Sequence, residues 1–218
     1  MPTFQQFQNF ATNNNPFEQK PIIAYRHSFL NAENEHQEIS VFNDHLFNDD
    51  GELRQSRNDV FNRVNNGAIQ EAILSILYWG FNRNQRGIGT RLYESFNNVI
   101  VLARYIQQHQ NITAESFLQT IVPMMNNCHG LGLAFFSKLF YFFNLHINGF
   151  PCIILDSRVR ETVHAINDPR LNNLRHYSAY SYSRYPQYIE EISRIAQEFG
   201  CQPDQIEYAL FMHCNCIR

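Results

Sequence analysis

Asp156 is the first residue whose type and surroundings suit catalysis. It follows the apolar segment Ile153 to Leu155 and precedes Ser157, so a carboxylate stands at the start of a predicted helix. A carboxylate there can stabilise developing positive charge and orient or deprotonate a water molecule. It can also cap the helix that begins at Ser157. The residues by themselves leave both roles open.

Lys138 is the second candidate, because it is the only lysine after Lys20 and its sequence neighbours are large and apolar. Those neighbours are Phe135, Phe136, Leu139 and Phe140. Burial among them would lower the pKa of the amine and so favour the neutral, nucleophilic form. The alternative is a structural cation that pairs with a phosphate or with Asp156.

A turn between two predicted helices offers a third kind of chemistry. The turn reads His129-Gly130-Leu131-Gly132 and is followed by an apolar helix. Glycines let backbone N-H groups at the start of that helix approach a phosphate without a Cβ in the way. The pattern therefore predicts a helix-hairpin-helix that binds a nucleic-acid backbone, although a plain interhelical turn has the same signature.

These motifs together resemble the helix-hairpin-helix superfamily of DNA glycosylases. That superfamily has Gly-apolar-Gly opening a helix, then a loop, then apolar-Asp-x-His/Arg-Val, and here Asp156 follows Gly132 by 24 residues. The segment Ala72 to Arg86 resembles the family's helix that ends in a polar Asn/Gln loop. The resemblance covers about residues 68 to 165. It is closest to a bacterial group similar to 8-oxoguanine glycosylases, which includes phage-defence enzymes acting on glucosylated hydroxymethylcytosine.

The resemblance implies an all-α, two-lobed enzyme that extrudes a modified base and cleaves its N-glycosidic bond without a cofactor. The base would be an oxidised guanine or a glucosylated phage cytosine. Asp156 would assist departure of the base, and Lys138 would be the candidate for AP lyase activity. Lyase-type members carry a lysine two positions after the second glycine, where this chain has Ala134, and Lys138 follows one helical turn later. The alternative is a non-catalytic helix-hairpin-helix module that grips duplex DNA.

The resemblance also implies a set of DNA contacts. The polar loop would fill the position that the extruded base vacates, while the hairpin and the arginines after Asp156 would contact phosphates. The residues assigned to DNA are Asn82, Arg83, Asn84, Gln85, Arg86, His129, Gly130, Gly132, Arg158 and Arg160. An ordinary solvated loop is the alternative for Asn82 to Arg86.

Hydrophobic periodicity predicts the elements that must position these residues. Helices are expected over residues 68–81, 91–108, 113–125, 133–144, 156–167, 186–199 and 203–214, with Thr113 as an N-cap. No strand pairing is strongly indicated, although Cys152 to Leu155 could be extended. Residues 1–60 are expected to be an acidic, partly irregular segment that packs on a glycosylase-like body formed by residues 61–218.

The charge distribution agrees with a nucleic-acid partner although the net charge is -3. Residues 1–60 contain four Lys/Arg against nine Asp/Glu, whereas residues 76–175 contain nine against five. Fifteen of the seventeen cations are arginines, whose planar guanidinium suits phosphates and base edges. An imbalance of this size also occurs on an ordinary solvated face, so the charge alone leaves the partner open. The resemblance implies a monomer that binds double-stranded DNA containing a modified base.

Composition limits the remaining classes of protein. Hydrophobic residues make up 44% of the chain, which is too many for a disordered protein, and the longest apolar tract is interrupted by polar residues. We expect no membrane span or signal peptide, and a cytoplasmic, nucleoid-associated protein. Five cysteines favour reduced thiols over disulfides, and the pattern His213-Cys214-Asn215-Cys216 has only one close cysteine pair, so no metal site is expected.

Overall fold

The computed structural model describes residues 3–82, 87–166, 169, 171–172 and 182–213. The α-helices of these residues are α1 (Phe4–Asn13), α2 (Leu30–Glu35), α3 (Gln37–Leu46), α4 (Arg57–Asn66), α5 (Ile69–Gly80), α6 (Ile88–Glu94), α7 (Phe96–Gln108), α8 (Ala114–Ser116), α9 (Val122–Asn126), α10 (Leu133–Phe142), α11 (Ser157–Ala165), α12 (Tyr185–Phe199) and α13 (Pro203–His213). The strands are β1 (Ile22–Tyr25), β2 (Glu52–Gln55), β3 (Asn111–Ile112), β4 (His146–Ile147) and β5 (Phe150–Pro151). The predicted all-α fold is confirmed, with two small sheets added to it.

The N-terminal region contains more regular structure than its sequence predicts. Strands β1 and β2 pair antiparallel, with Ile22 opposite Gln55 and Tyr25 opposite Glu52. The two strands are separated by α2 and α3, so no short turn between them signals the pairing. Helix α1 packs on the C-terminal helices, where the Phe7 and Phe199 rings lie 5.9 Å apart. The division of the chain at residue 60 stays a prediction.

Most helices lie where hydrophobic periodicity predicts them, with two differences. The predicted helix over residues 91–108 is interrupted at Ser95, so α6 and α7 are separate helices. The predicted helix over residues 113–125 consists of α8, a π-helical turn at Phe117–Ile121, and α9. Thr113 does cap its start, because the Thr113 hydroxyl accepts the Ser116 N-H at 3.0 Å.

Helices α5 and α10 form the centre of the core and contact each other. Residues 72–79 of α5 are all buried, and so are residues 135–142 of α10. The aromatic residues of α10 therefore belong to the core, as their apolar run predicts. Residues at the C-terminal end of α5 therefore lie next to side chains of α10. In the part of the chain that the structure describes, no helix is long and apolar enough to cross a membrane.

Candidate active site

The segment that carries Asp156 is a buried stretch between β5 and α11 that belongs to neither a helix nor a strand. Its backbone cannot pair with a helix or sheet, so hydroxyl groups of neighbouring helices satisfy it. Tyr185 donates to the Ile153 carbonyl (2.8 Å), Tyr188 donates to the Ile154 carbonyl (2.9 Å), and Ser137 accepts the Leu155 N-H (3.0 Å). Because these groups come from α10 and α12, the position of Asp156 depends on both helices.

Asp156 uses its two carboxylate oxygens differently. Oδ1 accepts the backbone N-H groups of Arg158 (3.0 Å) and Val159 (3.1 Å), so it caps α11. Oδ2 lies 3.6 Å from Lys138 Nζ. The side chain is only 15% exposed. The capping role is thus present, and it leaves one oxygen facing the lysine.

Lys138 is buried, with 3% of its side chain exposed. Its amine reaches back along α10 and donates to the Ala134 carbonyl at 3.0 Å. The Nζ atom also lies 5.0 Å from the centre of the Phe81 ring, where the ring face favours a cation. The amine therefore lies beside Ala134, the position at which the lyase-type glycosylases described above carry their lysine.

The buried position of Lys138 changes its acid-base behaviour. Burial lowers the pKa of the amine, while the negative charges of Asp156 and Glu207 oppose that shift. Gly80 makes room for the side chain, because a Cβ at this position would lie 2.5 Å from Lys138 Cδ. A glycine at the end of α5 is thus required for the observed lysine conformation.

A small pocket of about 40 Å³ connects these groups. Lys138, Asp156 and Gly80 line it, together with Gln19, Ile22, Arg57, Trp79, Ile154, Glu207 and Phe211. Four of these side chains are ionisable, and they come from α4, α10, α13 and the start of α11. The fold therefore places two acids and two bases around one enclosed space.

Arg57 and Glu207 form a buried ion pair that the sequence analysis missed. Arg57 Nη2 donates to Glu207 Oε2 at 2.9 Å, and each residue is 1% exposed. The guanidinium also donates to Gln19 Oε1 and to the Tyr141 hydroxyl, both at 3.2 Å. Burial raises the pKa of Glu207, and the positive charge of Arg57 opposes the shift. One signal was available: Glu207 is an acid among the apolar residues of α13.

The glycine hairpin immediately precedes α10, the helix that carries Lys138. Gly130 has φ of +73°, and a Cβ on it would lie 2.6 Å from Arg91 Cδ, so both its conformation and its contact favour glycine. Arg91 Nη1 donates to the Gly130 carbonyl at 3.3 Å. Gly132 precedes α10, has an ordinary negative φ, and has open space around its Cβ position. The hairpin backbone is thus accessible at the point where α10 begins.

A wide groove of about 640 Å³ runs along the hairpin. Residues from the ends of α5 and α6 and from residues 125–135 line it, and Phe81 is shared between the groove and the surroundings of Lys138. Among the described residues, no side chain caps the N-terminus of α10. Within the described part of the chain, the N-H groups of Leu133 and Ala134 have no partner and can bind an anion, whereas the Phe135 N-H donates to the Gly132 carbonyl at 2.9 Å.

The predicted DNA-binding residues fall into three groups. His129 and Gly130 are exposed at the hairpin, and Asn82 is exposed just after α5. Arg158 is exposed and stacks on Phe211 at 4.9 Å, while Arg160 is half-buried. Arg83, Asn84, Gln85 and Arg86 lie outside the residues that the structure describes. The fold thus brings the hairpin, Asn82 and Arg158 to the surroundings of the Lys138 pocket.

The described cysteines Cys128, Cys152 and Cys201 are free thiols. Cys214 and Cys216 lie outside the described residues, so the predicted thiol state at the C-terminus stays a prediction. Within residues 3–82, 87–166 and 182–213, no group of three or more His, Cys, Asp or Glu residues is arranged to hold a metal ion.

Comparison with known protein families gives one match. A family model described as "OGG: Putative 8-oxoguanine DNA glycosylase OGG-like protein" matches residues 16–211. Neither the curated proteins nor the solved structures include a significant match. The matched range contains all four ionisable residues of the pocket and the hairpin.

Proposed function

Since the chain belongs to the OGG-like family of 8-oxoguanine DNA glycosylases, we propose that it excises a modified base from duplex DNA by cleaving the N-glycosidic bond. One observation carries the proposal. Asp156 Oδ2 lies 3.6 Å from Lys138 Nζ in a mostly buried pocket next to the hairpin. A nucleophile and a carboxylate are thus available beside a surface suited to the DNA backbone.

Asp156 acts on the sugar. As the bond between C1′ and the base breaks, positive charge develops on the sugar, and a carboxylate in a site of low dielectric stabilises it. Capping through Oδ1 fixes the orientation of the side chain and leaves Oδ2 for this charge. Asp156 therefore needs to stay ionised during the reaction.

Lys138 acts as the nucleophile. Its neutral amine attacks C1′, the base departs with the bonding electrons and takes up a proton, and the sugar ring opens to a Schiff base. Loss of a C2′ proton then breaks the C3′-O bond and cuts the strand. Burial of the amine supports this role, because the lowered pKa increases the neutral fraction.

The hairpin and the arginine after Asp156 grip the DNA. Backbone N-H groups at the start of α10 bind a phosphate next to the extruded nucleotide, and Arg158 binds another. Asn82 and the loop that follows enter the duplex at the vacated base position. These contacts need one copy of the chain, so we propose a monomeric enzyme.

An oxidised guanine is the base that we propose, in agreement with the description of the family. A glucosylated phage cytosine is the competing substrate, which would make the protein an anti-phage rather than a repair enzyme. Mass spectrometry of the bases released from oxidised, ordinary and glucosylated DNA distinguishes them. Release of 8-oxoguanine from oxidised DNA alone supports repair, and release of the glucosylated base instead would replace that part of the proposal.

Borohydride trapping tests the nucleophile, and the chain offers a matched control because Lys20 and Lys138 are its only lysines. We expect a covalent adduct with duplex containing the lesion, its loss in Lys138→Ala, and its retention in Lys20→Ala. Peptide mapping excludes the terminal amine. Base release without any adduct would mean that water attacks in place of Lys138.

Asp156→Asn tests the enzyme against the alternative of a non-catalytic DNA-binding module. Asparagine is also a good N-cap, so the variant keeps α11 while it removes the charge. We expect duplex binding close to that of the wild type and a loss of base release of about 10²-fold or more. Unchanged biological activity in this variant would support the binding module.

A further inference from the structure

The proposed mechanism leaves Glu207 without a role, although this carboxylate lies in the same pocket as Lys138 and Asp156. Only Oε2 is engaged, by Arg57 at 2.9 Å. Among the described residues, none donates a hydrogen bond to Oε1. Glu207 Oε1 is therefore available to accept a hydrogen bond from a water molecule in the pocket.

We propose that Glu207 accepts the proton that the Lys138 ammonium must lose before its amine attacks the sugar, with a water in the pocket as the relay. This inference rests on the proposed role of Lys138 as nucleophile. The pocket of about 40 Å³ has room for a water molecule, and its lining supplies the polar partners that a buried water needs.

The step balances in atoms and charge. One N-H bond of Lys138 breaks and its proton passes to the water, while another proton of that water forms the O-H bond on Glu207 Oε1. Before the transfer Lys138, Arg57, Asp156 and Glu207 carry two positive and two negative charges. Afterwards Lys138 and Glu207 are neutral, so the cluster remains neutral and no charge enters the low-dielectric interior.

Glu207 suits this role better than Asp156. Asp156 Oδ2 lies 3.6 Å from the amine, but Oδ1 of the same carboxylate caps α11. It must also remain ionised beside C1′ while the base departs. Burial raises the pKa of Glu207 and lowers that of Lys138, so the two shifts favour transfer in the same direction.

Charged and titratable groups from several elements surround Lys138 and Glu207. Arg57 comes from α4, Asp156 from the start of α11, Tyr141 from α10 through its bond to Arg57, and Asp204 and Tyr208 from α13 itself. Arg158 of α11 is the outer charge, stacked on Phe211. The part of α5 that lines the pocket, Trp79 and Gly80, adds no ionisable side chain.

Glu207→Gln tests the inference, because glutamine can still accept from Arg57 but cannot take up a proton at neutral pH. We measure the single-turnover rate of adduct formation on duplex with a preformed abasic site, between about pH 6 and 9. We expect the variant to be about 10²-fold slower at pH 7 and to gain about tenfold per pH unit, so that it approaches the wild type at high pH.

Asp204→Asn is the matched control, since Asp204 is an acid on the same helix whose Oδ2 accepts from the Tyr141 hydroxyl at 3.4 Å. We expect it to keep the wild-type pH profile. A charge effect alone predicts the opposite result for Glu207→Gln, because removal of a negative charge near Lys138 favours the neutral amine. A variant as fast as the wild type at pH 7, or faster, would overturn the inference.

The wild type provides a test that does not depend on folding of the variant. Transfer of the proton from Lys138 to Glu207 predicts a rate of adduct formation that is nearly constant through neutral pH. A rise of about tenfold per pH unit in this range would mean that the proton goes to solvent, and it would reject Glu207 as the acceptor. Absence of any adduct with the wild type rejects the lysine mechanism itself. A wild-type adduct that is lost in Lys138→Ala, with Glu207→Gln unimpaired, rejects this inference alone.

Discussion

Two cavities adjoin α10 and differ in their lining. One is the small pocket of about 40 Å³, where Lys138, Asp156, Arg57 and Glu207 are largely removed from water. The other is the groove of about 640 Å³ along the hairpin, which exposed hairpin backbone lines together with Arg91 and His129. Helix α10 thus borders both the pocket for which we propose covalent chemistry and the groove for which we propose DNA binding.

The difference between these two regions fits the roles that we propose for them. A lysine becomes a nucleophile when water is excluded and its charge is disfavoured. A phosphate backbone, in contrast, is bound where donors remain open to the surface and can be approached closely. Because α10 is rigid and buried along most of its length, a strand held at its N-terminus lies at a fixed distance from Lys138.

The largest expected effect is on stability, from Arg57→Met in the pocket. The change leaves Glu207 as an unpaired buried charge, which costs about 3–5 kcal/mol in the free energy of unfolding. Urea denaturation measures the loss. Adding Glu207→Gln should recover part of it, because the uncompensated charge is removed.

Arg194→Met is the surface control for this variant. Arg194 pairs with Glu191 at 2.6 Å and also with Glu198, but 44% of its side chain is exposed. Its loss should change the free energy of unfolding by no more than about 1 kcal/mol. Equal effects of the two arginines would contradict the contrast between a buried and an exposed charge network.

Gly80→Ala should impair chemistry more than stability. The added Cβ would lie 2.5 Å from Lys138 Cδ, so the flexible lysine side chain has to move and its amine leaves the vicinity of Asp156. We expect the rate of borohydride-trapped adduct formation to fall by about 10²-fold, with duplex affinity unchanged. A variant that traps at the wild-type rate would show that the observed lysine conformation is not the reactive one.

The smallest effect is expected from Gly132→Ala in the hairpin. In the free protein a Cβ there has no neighbour within 4 Å and φ is ordinary, so stability should change little. Duplex affinity, measured by fluorescence anisotropy at fixed salt, should fall by about tenfold if a phosphate approaches the backbone.

Gly130→Ala sharpens this test, because its Cβ would contact Arg91 and its φ is +73°. That variant should lose thermal stability as well as affinity. Wild-type affinity in Gly132→Ala would remove the hairpin from the proposed DNA interface, and would leave the pocket as the better supported of the two regions.

The sequence predicted the individual parts of the site better than their arrangement. Asp156 at the start of a helix, Lys138 in an apolar run and the two hairpin glycines all follow from local patterns. Arg57 and Glu207 did not, because 150 residues separate them and neither has a motif around it. The pairing of β1 with β2 was missed for the same reason, since the partner strands are not joined by a short turn.

The amino-acid sequence by itself therefore determined most of the helices from α5 onward, the cap at Asp156 and the turn at Gly130, because periodicity and backbone preference act over a few residues. Tertiary structure decided that the amine of Lys138 lies 3.6 Å from Asp156 and that a second acid shares their pocket. Those distances depend on how α4, α10, α11 and α13 pack. Packing is a property of the whole core, and no short segment contains it.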